Sequence, residues 1–247
     1  MMAGDTLVRD APPEDAGGGP VRTRKGWRRR PWIIGLAVVT VAFLAFALPP
    51  YLGLDPGQAR LPVDRHPLFY PVLVTHIFAG AVLLGCGVLQ LWPWLRNRHR
   101  RVHRWTGRLY VIMAIPTGLG ALFVAQFPAG GPTQQVANTL LALLLLGTTA
   151  AGFRAVRQRR FADHREWMIR SFGLAFSIVT NRLWMIACLM IFAPNGTDPG
   201  DPVVQAAVSP SAWLSWVVNL LIVEWWILRR RRRPERDRAP GRDRSLA

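Results

Sequence analysis

HIFAGAVLLGCGVLQLWPWLRNRHRRVHRWTGRLYV, residues 76–111, is the stretch whose reading decides the fold. From Ile77 to Leu95 it carries no charge, then arginines and histidines crowd together, and apolar spacing resumes from Leu109. Crossing a hydrocarbon core about 30 Å thick takes roughly 20 helical residues at 1.5 Å each. Arginine is concentrated on the cytoplasmic flanks of such helices. The stretch therefore reads as a helix running inward, a basic turn, and a helix running back.

The same alternation governs the rest of the chain. Arginine-rich segments at 22–30, 96–108, 154–165 and 229–238 separate apolar runs near 32–52, 68–95, 107–127, 136–156, 167–192 and 212–228. This predicts an all-α multi-pass transmembrane bundle of about six helices, with both termini cytoplasmic, in a bacterial inner membrane. The opposite connections, 53–67, 128–133 and 194–210, hold only Arg60 and Arg65 as basic residues and are rich in Gly, Pro and Asp. Residues 31–230 form the expected transmembrane domain. Residues 1–30 make a cytoplasmic N-terminus and 231–247 a basic cytoplasmic tail, both expected to be disordered. Basic residues, an apolar run and the small residues Ala45 and Ala47 also describe a secretory signal. The apolar run continues through Tyr51 to Leu54, so an uncleaved anchor is expected.

Composition supports the same class. The 247 residues are 51% hydrophobic and 18% charged, which suits helices in lipid. A net charge of +17 would suggest nucleic acid in a soluble protein. Here the arginines flank apolar segments, so no nucleic-acid partner is expected, and the lipid bilayer with its anionic headgroups is. Lys25 is the one lysine against thirty arginines, which hints at a GC-rich bacterial genome. Cys86 and Cys188 sit inside apolar runs and support neither a disulfide framework nor a CxxC site.

Polar residues inside the spans carry what chemistry there is. His76, Gly80, Gly87 and Gln90 project onto one narrow face of the second helix, and that face must point inward, because His and Gln facing lipid are costly. The third helix gives a seam from His103 through Gly107, Tyr110, Ala114 and Thr117, with a kink expected at Pro116. On the fifth helix His164, Ser171, Ala175 and Arg182 share a face, and its neighbour holds Arg170, Ser177 and Asn181. Gln90, His103, Arg108, Tyr110, His164, Arg170 and Glu224 then lie near the cytoplasmic surface. His76, Gln126, Asn138, Asn181 and Arg182 lie nearer the outer one.

Two histidines on different helices at matching depth are what axial ligation of haem requires, with arginines as propionate partners. His103 and His164, with Arg108 and Arg170 and with His76, Tyr110 and Gln90 behind them, form a candidate cofactor site for haem b or quinone. The iron of such a haem is the one metal expected. A headgroup contact or a helix cap is the alternative for both histidines. Arg182, with Asn181 and Asn138, forms a candidate substrate or anion site; carbonyl satisfaction or snorkelling is the alternative there. Two stretches, LLGCGVLQLWPWLRNRHRRVHRW and LLGTTAAGFRAVRQRRFADHREW, resemble one another as an internal repeat, each an outgoing helix, a basic turn and a His-Arg pair.

The run 76–111, followed later by DHREWMIRSFGLAFSIVTNRLW, resembles the bacterial membrane family known as domain of unknown function 2306. His76, Gly80, Gly85, Gln90, His103, Arg104, Gly107, Arg108, Tyr110, His164, Trp167, Met168, Arg170, Ser171 and Arg182 match its pattern. Asn181 departs from it, where an apolar residue is expected. The resemblance covers 68–193 and implies a multi-pass membrane protein; it implies no activity. A haem- or quinone-binding redox module is the leading expectation. A small transporter or lipid- or anion-binding protein, and an assembly partner of a membrane complex, are the alternatives. Neither HExxH nor a glycine-rich nucleotide loop is present.

Overall fold

The computed structural model describes residues 31–64, 66–193 and 202–236. The disorder expected of the N-terminus before residue 31, the first arginine segment and the part of the expected tail from 237 onward lie outside the described residues, while residues 231–236 of that tail are helical and continue the last helix. Among those described, the chain is helical and forms no strand. The helices are α1 (Pro31–Ala47), α2 (Pro49–Leu52), α3 (Phe69–Leu91), α4 (Pro93–Arg98), α5 (Arg100–Val124), α6 (Gly131–Arg157), α7 (Phe161–Ala175), α8 (Ser177–Phe192) and α9 (Pro202–Arg236). A 3-10 turn, Pro56–Gln58, follows α2.

Four of these are long and apolar enough to cross a membrane: α3, α5, α6 and the part of α9 from Ala206 to Arg231. The pair α7 and α8, bent by 41°, makes a fifth. The α1 helix, with 17 residues, is shorter, about 25 Å at 1.5 Å per residue. Of the six expected spans, the first is therefore the marginal one.

Local chemistry explains most boundaries. Pro93 has no N–H to continue α3, so that helix stops at Leu91 and the short α4 begins beyond Trp92. Pro116 lies inside α5, which continues through it as one element. The fifth expected span breaks at Phe176 without a proline there. Carbonyls near the bend are taken by side chains: Ser177 Oγ donates to Leu174 O at 2.6 Å, and Asn219 Nδ2 of α9 donates to Gly173 O at 3.0 Å. Polar side chains of this kind keep a broken helix satisfied where no water reaches.

Residues 202–210, expected in a loop, instead begin α9. They are held on the start of α6, where Ala207 is fully buried and Ser209 Oγ donates to Gly130 O at 2.8 Å. Gly130 leaves room for Val208, since a Cβ there would lie 2.8 Å from Cγ1 of that valine.

Neighbours in sequence pack as antiparallel pairs, α3 on α5, α6 on α7 and α8 on α9, and α9 also lies against α6 and α7. The main core joins Leu83, Leu84, Tyr110, Ala114, Leu145, Phe172, Leu174 and Trp216. Trp216 places α9 within that core, rather than outside a bundle of helices two to five. A second cluster of Tyr51, Phe69 and Leu73 closes the opposite end from the basic turns.

Candidate functional site

The inward face expected on α3 meets α5 along its length. His76 Nδ1 lies 2.7 Å from Thr117 O, and Gly120 opposite leaves space for the imidazole, since a Cβ there would be 2.8 Å from His76 Cβ. Gly80 faces the Thr117 methyl. Gln90 Nε2 donates to His103 O at 2.7 Å and to Thr106 Oγ1 at 2.6 Å, lying over Gly107. Gly87 admits the Phe172 ring of α7 beside Tyr110. These polar groups thus bind one helix to the next through backbone carbonyls.

At the centre, three hydroxyls from three helices form a chain. Tyr110 OH lies 2.8 Å from Ser171 Oγ, and Ser171 Oγ lies 2.7 Å from Thr149 Oγ1. Thr149 Oγ1 donates to Leu145 O at 2.7 Å. A carbonyl only accepts, so the direction is fixed: Tyr110 donates to Ser171, Ser171 to Thr149, and Thr149 to the backbone. All three residues are buried, at 1%, 0% and 4% exposure. Neither Ser171 nor Thr149 was among the residues singled out as ligands from sequence.

The two candidate haem ligands do come near each other, for His103 is within electrostatic reach of His164 and of Arg96. His164 Nδ1 lies 2.8 Å from Gly152 O, an arrangement that would orient Nε2 as a metal ligand. His103 Nδ1 is buried with no hydrogen-bond partner among the described residues. Haem also needs a flat slot between the rings and cations for its propionates. Gln90 lies over Gly107 and donates to the His103 carbonyl. Met168 lies against Gly152, where a Cβ would be 2.7 Å from its sulfur. Arg108 is exposed and stacks on Trp105, 5.3 Å from the ring centroid, while Arg170 is committed to a carboxylate. Among the described residues no group of three or more His, Cys, Asp and Glu could hold a metal ion.

The charged residues converge elsewhere, where α6, α7 and α9 enclose a cavity of about 430 Å³ at the end of the basic turns. Arg170 pairs with Glu224 through two bonds, Nε to Oε1 at 2.5 Å and Nη2 to Oε2 at 2.9 Å. Its Nη1 lies 3.8 Å from Glu166, which also pairs with Arg231. Leu144, Leu174 and Leu220 form an apolar wall, and Trp167 stacks under Arg170 at 4.9 Å. The pair is partly shielded, with side chains 17% and 36% exposed. Glu166 and Arg231 were not anticipated as site residues, although Glu166 stands one helical turn before Arg170, a spacing that favours pairing.

A model of the family described as predicted membrane protein DUF2306 matches residues 73–227, more than half of the chain. The chain belongs to this family. The match runs past α8 and takes in Glu224, so the part of the chain shared with DUF2306 proteins includes both partners of the Arg170–Glu224 pair. No curated protein and no solved structure matches the chain.

The candidate anion residues of this DUF2306 protein do not meet. Asn138 lines a smaller cavity of about 110 Å³ with Phe69 and Phe127. Asn181 Nδ2 donates to Ser211 Oγ of α9 at 3.4 Å. Arg182 lies on an exposed face within electrostatic reach of Arg60 and Tyr51.

Proposed function

We propose that this membrane protein is a quinone-binding module that takes the headgroup of a membrane quinone into the cavity between α6, α7 and α9. The observation that carries this reading is the doubly bonded Arg170–Glu224 pair at the rim of a cavity whose far wall is leucine. The volume, about 430 Å³, lies within the range of small-molecule sites. Two guanidiniums against three carboxylates, Asp163, Glu166 and Glu224, leave the rim close to charge balance, which disfavours an anionic headgroup. A quinone carbonyl accepts hydrogen bonds and its reduced hydroxyl donates them. Arg170 serves the first state and Glu166 or Glu224 the second.

The arginine turns are read as cytoplasmic, with both termini inside and the protein in the inner membrane. Glu166 with Arg231 brings the α7 start to the α9 end, and His103 with His164 brings the two hairpin turns together, so three basic segments share one surface. Stacks of Arg108 on Trp105, Arg229 on Trp225 and Arg230 on Trp226 support contact there with anionic headgroups.

The test is a titration of purified protein in detergent with a short-chain quinone analogue, followed by tryptophan fluorescence, with Trp167→Phe as the reporter control. Saturable quenching that shrinks in Trp167→Phe, with affinity at least about tenfold weaker in Arg170→Gln, is expected from loss of one charge-assisted bond. Unsaturable quenching, or equal affinity in Arg170→Gln and Glu224→Gln, refutes the reading. An absorption spectrum after expression with haem supplied separates the haem alternative: a Soret band lost in His164→Ala would restore it.

A further inference from the structure

At the opposite end of the molecule from the arginine turns, donors gather with few acceptors. Arg60 follows the 3-10 turn, and its Nη2 donates to Phe46 O at the end of α1 at 2.7 Å, with the guanidinium 4.0 Å above the Phe46 ring. That bond uses one of five guanidinium N–H groups. Arg182 on α8 is within electrostatic reach of Arg60, and it makes no hydrogen bond or ion pair with the described residues. No carboxylate among those residues pairs with either arginine.

Two phenols complete the group. Tyr51 is buried, accepts the Arg60 backbone N–H at 3.4 Å and is within reach of Arg182. Its own O–H has no acceptor among the described residues. Tyr70, within reach of Tyr51, has a buried hydroxyl oxygen with no hydrogen-bond partner among the described residues. Asp55, an acid within electrostatic reach of Tyr70, accepts from Gly57 N at 2.9 Å and Gln58 Nε2 at 3.3 Å. Buried donors are almost always satisfied in native proteins, so an orphaned phenol next to Tyr51, which itself lies near Arg60 and Arg182, calls for an acceptor that the described residues do not supply.

We propose that Arg60, Arg182, Tyr51 and Tyr70 form a phosphate-binding site at the membrane surface opposite the arginine turns. A phosphate group offers several acceptor oxygens and negative charge in one small unit, and guanidinium is its preferred partner. Arg60 is held at the end of the apolar α1, and phospholipid phosphates lie just beyond the ends of helices that cross a membrane. The same chemistry is offered by free phosphate. This site is separate from the quinone cavity in position, residues and ligand charge.

The experiment places the full chain in phosphatidylcholine nanodiscs containing a small share of phosphatidylglycerol and measures retained lipid by native mass spectrometry. A parallel arm titrates inorganic phosphate into the protein in a phosphate-free sugar detergent by calorimetry. Wild type retains phosphatidylglycerol preferentially or binds phosphate. Arg182→Gln and Arg60→Gln each weaken that binding at least about tenfold, and Tyr70→Phe several-fold, from loss of one charge-assisted bond apiece. Binding in the lipid arm alone identifies a headgroup, and binding in the phosphate arm alone identifies the free ion. Arg182→Lys keeps the charge and loses the planar fork, giving an intermediate result that does not depend on the glutamine variant folding. Lipid retention and phosphate binding unchanged across the arginine variants overturn the proposal.

Discussion

The hairpin of α3 and α5 and the hairpin of α6 and α7 place similar residues in similar frames and solve the packing in opposite ways. In the first, the large Gln90 on the outgoing helix lies over the small Gly107 of the returning one. In the second, the equivalent outgoing residue is the small Gly152, and it receives the large Met168. Each pair fills the same space from opposite sides. His103 sits beside the first contact through its carbonyl, and His164 beside the second through its ring. The two hairpins then part in function, because the first is sealed along its length while the second opens onto α9 and the charged cavity. Close packing and the charged cavity divide between the two hairpins.

The largest effect that tests this division is at Gly87. A side chain there runs into the Phe172 ring, which is rigid and locked in the core. Gly87→Val is expected to destabilise by about 3 kcal/mol, the upper part of the usual overpacking cost. Gly152→Ala meets the flexible end of Met168 instead, and about 1 kcal/mol is expected. Thermal denaturation in detergent gives the ranking. A Gly152→Ala loss as large as that of Gly87→Val would mean that Met168 is held as rigidly as Phe172.

Next comes the exchange itself. Gly107→Met should clash with Gln90, and Gln90→Gly should leave a void. The double variant rebuilds the Gly152–Met168 arrangement in the first hairpin. A coupling energy of about 1–2 kcal/mol in favour of the double variant is expected for residues in direct contact. Simple additivity of the two losses would break the comparison, showing that the hairpins only look alike.

How far the sequence carried these conclusions differs by scale. Charge and apolar period located the helices because both depend on neighbours in the chain, and the His76, Gly80, Gly87 and Gln90 face lies against α5 and α7 for the same reason. The bend at Phe176 was hidden, since neither proline nor glycine marks it and Asn219, which satisfies it, belongs to another helix. The long start of α9 was hidden by Pro202 and Pro210, which read as loop signals. The partners of the histidines are backbone carbonyls, which every residue possesses and no motif records. Glu224 was visible as a lone acid in a span, yet its closeness to Arg229 in sequence concealed that Arg170 is the residue it binds.

The ion pair at the open side of the second hairpin gives a smaller effect on stability than on binding. Glu224→Gln removes the charge and keeps the shape, leaving Arg170 with Glu166 at 3.8 Å as its remaining counter-charge. Since the pair is partly exposed, about 1 kcal/mol or somewhat more is expected, above the range of surface pairs and well below that of fully buried ones. Denaturation of Glu224→Gln beside the quinone titration of the same variant separates scaffold from site. A loss of several kcal/mol would make the pair a structural clamp first.

The finest difference to resolve, between two variants that each lack one hydroxyl, bears on how the two hairpins are joined. The hydroxyl chain runs in one direction, from Tyr110 through Ser171 to Thr149 and on to Leu145 O, so its members are not equivalent. Tyr110→Phe removes a donor at the head of the chain. Ser171 loses something it accepted and strands no hydrogen, which costs about 0.5–1.5 kcal/mol. Thr149→Val removes an acceptor near the end, and one buried O–H, whether of Ser171 or Tyr110, is then left without a partner, at about 1–3 kcal/mol. Thr149→Val should therefore be the more destabilising, although each variant deletes a single hydroxyl. Equal losses would mean that Ser171 turns back to a carbonyl of its own helix once Thr149 is gone, and that the chain is a set of separate bonds rather than a directed link between α5, α6 and α7.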